Sequence, residues 1–311
     1  MEFPVDLLAT VDLKALEESA ETIFSQLHRN PDIYESLRLP DSREVETGCN
    51  VCFMPLFGGD SKGKVLALLS PGEKVLGLYL RDQWWSTEDI LKTSDPSRKG
   101  LLEVRTPVER IVLYVLNRII YRMKEKANND VIFPLHEEDE VAKILWKDGE
   151  AVGFYSVKTK DSLCRKFITE CYQLPVMDAI FIRKYFRGHG YGLQMLEDYV
   201  SSFRNDYVGL KYPLSPAMYK VCKKYLSTYS GNKELLWEVQ DTGARSDRTL
   251  IARKLETMEL KGDHQVVRNL NFEAENTDVP LETVNTQEQE TRKYTEEVVD
   301  EVVQIKKRKG K

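Results

Sequence analysis

Apolar positions along the chain fall into runs of distinct period. Leucines and alanines recur among acids at helical spacing over residues 13–28, and the polar stretch 29–48 predicts loop. Strand-length apolar runs follow at 51–56, 64–69 and 75–80. Gly58-Gly59-Asp60 and Lys62-Gly63, between the first two, predict a hairpin. A short helix is expected over 86–91. The strongest helical period covers 106–126, where Val108, Ile111, Val112, Val115, Leu116, Ile119 and Ile120 share a face. Thr106 is placed to cap it, Pro107 suits its first position and Glu109 completes a capping box. A helix so rich in apolar residues is expected to be largely buried.

A second hairpin is expected where Lys147-Asp148-Gly149-Glu150 separates the runs 143–146 and 151–157, because Asp-Gly supplies the positive φ angles of a tight turn. Residues 159–174 are ambiguous, although Phe167, Ile168 and Thr169 are able to extend a strand. Strands are predicted over 176–182, 207–211, 235–239 and 249–252. Helices are predicted from Leu193 through Phe203, and over 216–227 behind Pro213 and Pro216. Beyond about residue 256 the chain turns polar and acidic and is expected to be disordered. Within that tail, Tyr294, Val298, Val299, Val302 and Val303 lie at near-helical spacing, as a segment that folds on a partner would have them.

Length and charge narrow the classes. The chain has 311 residues, enough for one large domain or two smaller ones, and 41% are apolar. The net charge of −5 is uneven: residues 273–301 carry −8, the last ten carry +5, and about −2 remains on residues 1–272. A near-neutral body argues against direct nucleic-acid binding. The start lacks the basic and apolar pattern of a signal peptide, and no apolar run approaches membrane-spanning length, so a protein that is not secreted is expected. Five cysteines without regular spacing suit a reducing compartment. Cys49-x-x-Cys52 lacks two further ligands for zinc, so no metal is expected.

The chemistry-bearing stretch is Arg187-Gly188-His189-Gly190-Tyr191-Gly192, set between a strand-like and a helix-like run. Glycines let the backbone come close to a ligand, and the free N–H groups of a helix start attract an anion. The stretch does not fit the dinucleotide or P-loop fingerprints. Arg187-x-x-Gly190-x-Gly192 resembles the signature of the Gcn5-related N-acetyltransferase superfamily, in which this turn holds the pyrophosphate of acetyl-coenzyme A. The order of elements from residue 75 is similar to that fold, which implies an α/β (α+β) protein with a mixed, twisted sheet flanked by helices.

Met1-Glu2-Phe3-Pro4-Val5-Asp6, Asp82-Gln83-Trp84-Trp85, residues 112–122 (VLYVLNRIIYR), Lys143-Ile144-Leu145-Trp146, residues 153–158 (GFYSVK) and Leu235-Leu236-Trp237-Glu238-Val239 resemble the soluble lamin-associated protein family, the family with sequence similarity 169, and within it the shorter, B-type branch. That resemblance covers nearly all of residues 1–255. It implies a partner at the nuclear lamina or elsewhere in the nucleus, and a nuclear or cytoplasmic location. The basic run Lys306-Lys307-Arg308-Lys309 resembles an import signal. The expected organisation is an N-terminal extension of helix and hairpin packed on the core (1–74), an acetyltransferase-like domain (75–255), and a disordered acidic tail (256–311).

The resemblance to acetyltransferases places acetyl-coenzyme A against Arg187, Gly188, His189, Gly190, Tyr191 and Gly192. It places the pantetheine arm against the backbone of Ile180, Phe181 and Ile182. Arg183 and Lys184 are candidates for the 3′-phosphate. Transfer to an amine also needs a base and an acid. Asp178, inside an apolar strand, and Glu170 are the base candidates. A structural carboxylate and a surface acid are the plainer readings of those two. Tyr219, near the start of the helix after the fifth strand of that fold, is the acid candidate, with core packing as its plainer reading. Tyr225 and Cys222 are weaker options. The segments 212–216 and 224–226 depart from the superfamily's usual Asn and Gly-Phe. The expected function is therefore an acyl-coenzyme A-dependent N-acyltransferase, or alternatively a non-catalytic nuclear or lamina-associated adaptor built on the same fold.

Overall fold

The computed structural model describes residues 2–29, 35–59, 63–128, 130–164, 170–203 and 207–259. Helices α1 (Pro4–Leu7) and α2 (Leu13–Arg29) come first. Leu16, Ala20, Ile23 and Leu27 make the buried stripe of α2 at helical spacing. The polar stretch read as loop contains a two-stranded ribbon, β1 (Ser36–Arg38) and β2 (Glu44–Glu46). Leu37 is its one buried residue, so a two-residue period has nothing to show.

Strands β3 (Val51–Pro55), β4 (Lys64–Leu69), β5 (Val75–Leu80) and β6 (Gln83–Ser86) form an antiparallel sheet in chain order. Ser86 then caps α3 (Thr87–Ile90), its hydroxyl accepting the Asp89 N–H at 3.0 Å. The division expected after residue 74 falls between β4 and β5, which pair from Leu66↔Tyr79 to Leu69↔Val75. The apolar run 75–80 therefore belongs to this small sheet. The larger sheet begins instead at β7 (Gly100–Glu103), a half-buried edge strand too short to stand out in sequence.

Helix α4 (Pro107–Tyr114) starts as predicted. The Thr106 hydroxyl accepts the Glu109 N–H, and the Glu109 carboxylate accepts the Thr106 N–H at 2.9 Å. The helical run continues to residue 125, but as a π-helix over Val115–Glu125. Its apolar residues share one cluster with Ala67 and Leu78 of the small sheet and with Phe154 and Phe181 of the large one. Contact with both sheets explains why residues on several sides of this helix are apolar.

The larger sheet continues with β8 (Val141–Lys147), β9 (Glu150–Lys158), β10 (Val176–Ile182), β11 (Val208–Lys211), β12 (Leu236–Val239) and β13 (Arg248–Leu250), in spatial order β7 through β13. The β8–β9 turn uses Asp148 and Gly149 at φ 50° and 78°. The pairs β10–β11 and β11–β12 are parallel and the others antiparallel. Helices α5 (Tyr191–Ser202) and α6 (Pro216–Thr228) make the crossovers between the parallel strands. Met195, Leu196, Tyr199, Met218 and Cys222 pack against Val157, Leu210 and Leu236 on one face of the sheet. The result is a mixed α/β fold with helices flanking its sheets. Residues 251–259 are helical, so the strand expected through Ala252 stops at Leu250 and the helix runs past 255. Ile251 and Leu255, one helical turn apart, join the same cluster as Leu236.

The strand expected around Phe167–Thr169 and the expectations for the acidic tail and Lys306–Lys309 fall outside the described residues. Among those described, no helix is long and apolar enough to cross a membrane.

Candidate functional site

The site grows from a fork in the large sheet. β10 pairs with β9 along its whole length, but with β11 only at Val176↔Gly209 and Met177↔Leu210. The Tyr199 hydroxyl lies 2.8 Å from the Pro175 carbonyl and 3.0 Å from that of Gly209, tying the base of the fork together. A register shift between Met177 and Ala179 puts Asp178 in a bulge, which bends β10 away where pairing ends. The Arg183 N–H donates to the Val152 carbonyl at 2.9 Å. By the alternation of an antiparallel ladder, the polar backbone groups of Phe181 then also face β9, and those of Ile180 and Ile182 face the open side. Of the three strand residues expected to meet a pantetheine arm, Ile180 offers a free edge and Ile182 a free N–H, its carbonyl being taken by Arg187 Nε, and Phe181 spends its backbone inside the sheet.

Beyond β10 a 3₁₀ turn, Lys184–Phe186, leads into Gly188 and Gly190, both at φ 86°. Gly190 is the N-cap of α5 and gives it no side-chain cap. The N–H groups of Gly188, His189, Gly190, Tyr191 and Gly192 have no acceptor among the described residues, and they stand at the positive end of the α5 dipole. A Cβ at Gly188 or Gly190 would meet nothing within 4 Å, so the space on that side of the turn is open. A Cβ at Gly192 would lie 3.2 Å from Val221 Cγ2, which shows how closely α5 approaches α6 there.

The cations around the turn are largely engaged. Arg187 Nε donates to the Ile182 carbonyl at 2.8 Å, and its guanidinium lies 3.7 Å from Glu125 and above the Phe181 ring. It knits the turn to the strand. Arg183 is ion-paired with both Glu88 and Glu150. The backbone N–H of Lys184, rather than its ammonium, donates to Glu125 at 2.7 Å. His189 is exposed, with Nδ1 3.2 Å from the Phe186 carbonyl. The groups left unpaired at this turn are backbone N–H groups, and Arg187 supports the turn that carries them.

The three acid–base candidates stand apart. Asp178 is buried and ion-paired with Lys211, across the point where β10 and β11 separate. Tyr219 donates to Glu238 Oε1 at 2.8 Å, beside Lys254. Burial raises its pKa, with the Glu238 carboxylate adding to the effect. Glu238 alternates with Trp237 and so shares the helix-covered face of Leu236, whereas Asp178 acts on His136, Lys158 and Tyr172 on the opposite face. Glu170 is exposed and accepts the Thr242 hydroxyl at 3.3 Å. No hydrogen bond or ion pair joins any two of the three. The weaker options, Tyr225 and Cys222, are buried under α6, and Tyr225 accepts from Asn232 Nδ2 at 2.8 Å.

Sequence reasoning missed a polar row on the Asp178 face. His136, Glu140, Ser156 and Lys158 gather there with Tyr172 nearby. Lys158 bonds Glu137 and Glu140, each at 2.8 Å. Burial works against its charge, but those carboxylates outweigh it and hold its pKa above the ordinary value. Burial pushes the His136 pKa down, so the ring is neutral, and pushes that of Tyr172 up. One signal was legible: Ser156 and Lys158 are polar two residues apart in an otherwise apolar strand, which puts both on one face.

Protein FAM169B of Mus musculus is 41% identical to this chain over 250 residues, 78% of this chain and 74% of that protein. Protein FAM169BP of Homo sapiens is 42% identical over 122 residues, 38% of this chain and 64% of that protein. No family model matches, and no solved structure matches.

Proposed function

The chain belongs to the FAM169B family, and from its own geometry we propose that it is an acyl-coenzyme A-dependent N-acyltransferase. The observation that carries this reading is the junction of two unsatisfied backbone surfaces: the edge of β10 at Ile180 and the Ile182 N–H, and the N–H groups of Gly188 to Gly192 beside it. An extended arm containing amides, ending in a diphosphate, matches both. The arm adds to the strand edge as a peptide would, and the diphosphate meets the helix start. Acetyl-coenzyme A has that chemistry. The resemblance of the turn and of the surrounding mixed sheet to the Gcn5-related N-acetyltransferases supports the same reading. When bound, the coenzyme supplies an activated thioester. An amine nitrogen bonds to its carbonyl carbon, the carbon–sulfur bond breaks, the thiolate takes a proton and the amine loses one. In this chain Asp178 is the buried carboxylate at the fork, and the pair it makes with Lys211 keeps it in place there.

A second reading has its own observation. Tyr219, Asp178 and Glu170 do not converge, as a binding module that keeps the fold without turnover would have it. A nuclear or lamina-associated adaptor fits that arrangement. Calorimetric titration of acetyl-coenzyme A into the full chain, with Gly190→Asp and Gly190→Asn alongside, tests the first reading. Asn and Asp tolerate the positive φ similarly and differ in charge. The expected result is micromolar binding to the wild type, weaker in the Asp variant than in the Asn variant by at least about tenfold. A folded wild-type protein that binds nothing removes the transferase reading and leaves the adaptor.

A further inference from the structure

One ion pair closes the crotch of the fork. Pairing between β10 and β11 ends at Met177↔Leu210. Asp178 and Lys211 are the next residue on each strand, and Lys211 Nζ donates to Asp178 Oδ1 across the gap. The two side chains differ in exposure. That of Asp178 is 3% exposed and that of Lys211 41%, so the ammonium reaches in from solvent to a fixed carboxylate. Leu210 packs beneath the helices, so Lys211 beside it lies on the opposite face, with Asp178. A carboxylate buried this deeply is costly without a cation, and here the cation is a primary amine. Lys158, the other amine near Asp178, is only 15% exposed and is held by two carboxylates, Glu137 and Glu140.

The crotch is also where an acyl group arrives when the coenzyme lies as described above. With a diphosphate on the N–H groups of Gly188 to Gly192, the amide arm runs back along the open edge of β10, from Ile182 past Ile180 towards Asp178. The strand from Ile182 back to Asp178 is about 13 Å long. The arm between the diphosphate and the sulfur of a coenzyme A thioester has about twelve bonds in line, as many as that stretch of backbone, and a similar reach. The thioester therefore comes level with the Asp178–Lys211 pair.

We propose that Lys211 is a self-acylation site, with an acyl-coenzyme A thioester as the donor; the proposal rests on the coenzyme reading above. Asp178 takes one proton from the ammonium, which frees the nitrogen lone pair. The nitrogen bonds to the thioester carbonyl carbon, the carbon–sulfur bond breaks, and the departing thiolate takes a second proton. The third proton stays on the amide nitrogen. The product amide carries no charge, so the ion pair is gone. The place of the ammonium on Asp178 is then open to the amine of a second molecule.

Mass spectrometry of the full chain after incubation with acetyl-coenzyme A tests this, with acetyl occupancy read at each lysine. Lys211 is expected to be acetylated at least about tenfold faster than the exposed Lys220, which reports the undirected background. At a subsaturating concentration, Gly190→Asp is expected to slow Lys211 at least about fivefold and to leave Lys220 unchanged. A second readout needs no transfer: coenzyme A without an acyl group is expected to shield Lys211, but not Lys220, from reductive methylation by formaldehyde. Lys211→Arg keeps a cation for Asp178 and is expected to bind acetyl-coenzyme A within about twofold of the wild type. Acetylation of Lys211 at the Lys220 rate, in a chain that binds acetyl-coenzyme A by calorimetry, overturns self-acylation and leaves the transferase reading standing. A folded chain that binds no acetyl-coenzyme A overturns both. A Lys211 rate unchanged in Gly190→Asp, or no shielding by coenzyme A, overturns the arrival of the thioester at Lys211 and the proposal with it.

Discussion

Tyr199→Phe removes one oxygen from the base of the fork and leaves the shape of the side chain intact. Tyr199 is fully buried, and its hydroxyl is 2.8 Å from the Pro175 carbonyl and 3.0 Å from the Gly209 carbonyl. Phenylalanine fills the same space, so no cavity term enters. The Pro175 carbonyl keeps the Gly209 N–H at 2.8 Å and is not orphaned. The loss is therefore that of an ordinary hydrogen bond, about 1 kcal/mol, at the low end of what leaving a buried partner unmet would cost. That is about a fivefold change in the folded-to-unfolded ratio, or roughly 2–4 °C in Tm for a domain of this size. Tyr199→Ala, which opens a cavity as well, is expected to cost about 3–5 kcal/mol. Burial holds the Tyr199 pKa far above its ordinary value, so the hydroxyl stays protonated and the Tyr199→Phe difference is the same at pH 6 and pH 9. Urea unfolding of the three proteins gives the numbers, with m unchanged as the sign that two-state comparison holds. An unaltered midpoint in Tyr199→Phe, or a loss equal to that of Tyr199→Ala, refutes the assignment of the hydroxyl as the tie between β10 and β11.

Lys158→Met leaves Glu137 and Glu140 without their buried cation and is expected to destabilise by about 3–5 kcal/mol, measured by the same unfolding assay. His136 is buried neutral with its folded pKa below the ordinary value, so the unfolded chain binds more protons as pH falls. Its share of stability is whole above about pH 6.5 and declines as the pH drops through that value, and His136→Phe should flatten this slope between pH 7 and 5 in thermal melts. Gly153→Ala places a Cβ 2.5 Å from the Phe181 carbonyl oxygen, where backbone has to move; a loss of about 1–3 kcal/mol is expected, and a neutral result contradicts the close approach of β9 to β10. Tyr219→Phe removes a hydrogen bond to a charged partner, Glu238, and should cost about 1.5–3 kcal/mol in stability while acetyl-coenzyme A affinity in calorimetry stays within about twofold, since that hydroxyl faces β12.

Local features were legible before any fold was known. Thr106-Pro107 with Glu109 specified a helix start because the cap closes over four residues, and Asp148-Gly149 specified a turn because both positions take positive φ. The strand Val176–Ile182, the glycine turn and the start of α5 followed from period and composition in the same way. By itself the sequence determined the elements whose causes lie within a few residues: period, caps and turn chemistry. Only the tertiary structure decided which strands meet. The run 75–80 pairs in the small sheet, though nothing in its composition chooses a partner. Asp178 gains Lys211 from 33 positions away, Tyr219 turns to Glu238, and His136, Glu140 and Ser156 are gathered beside Lys158 on one face of the sheet. Those partners are set by register and crossover, which depend on the burial of whole faces, and a window of neighbouring residues carries no record of that.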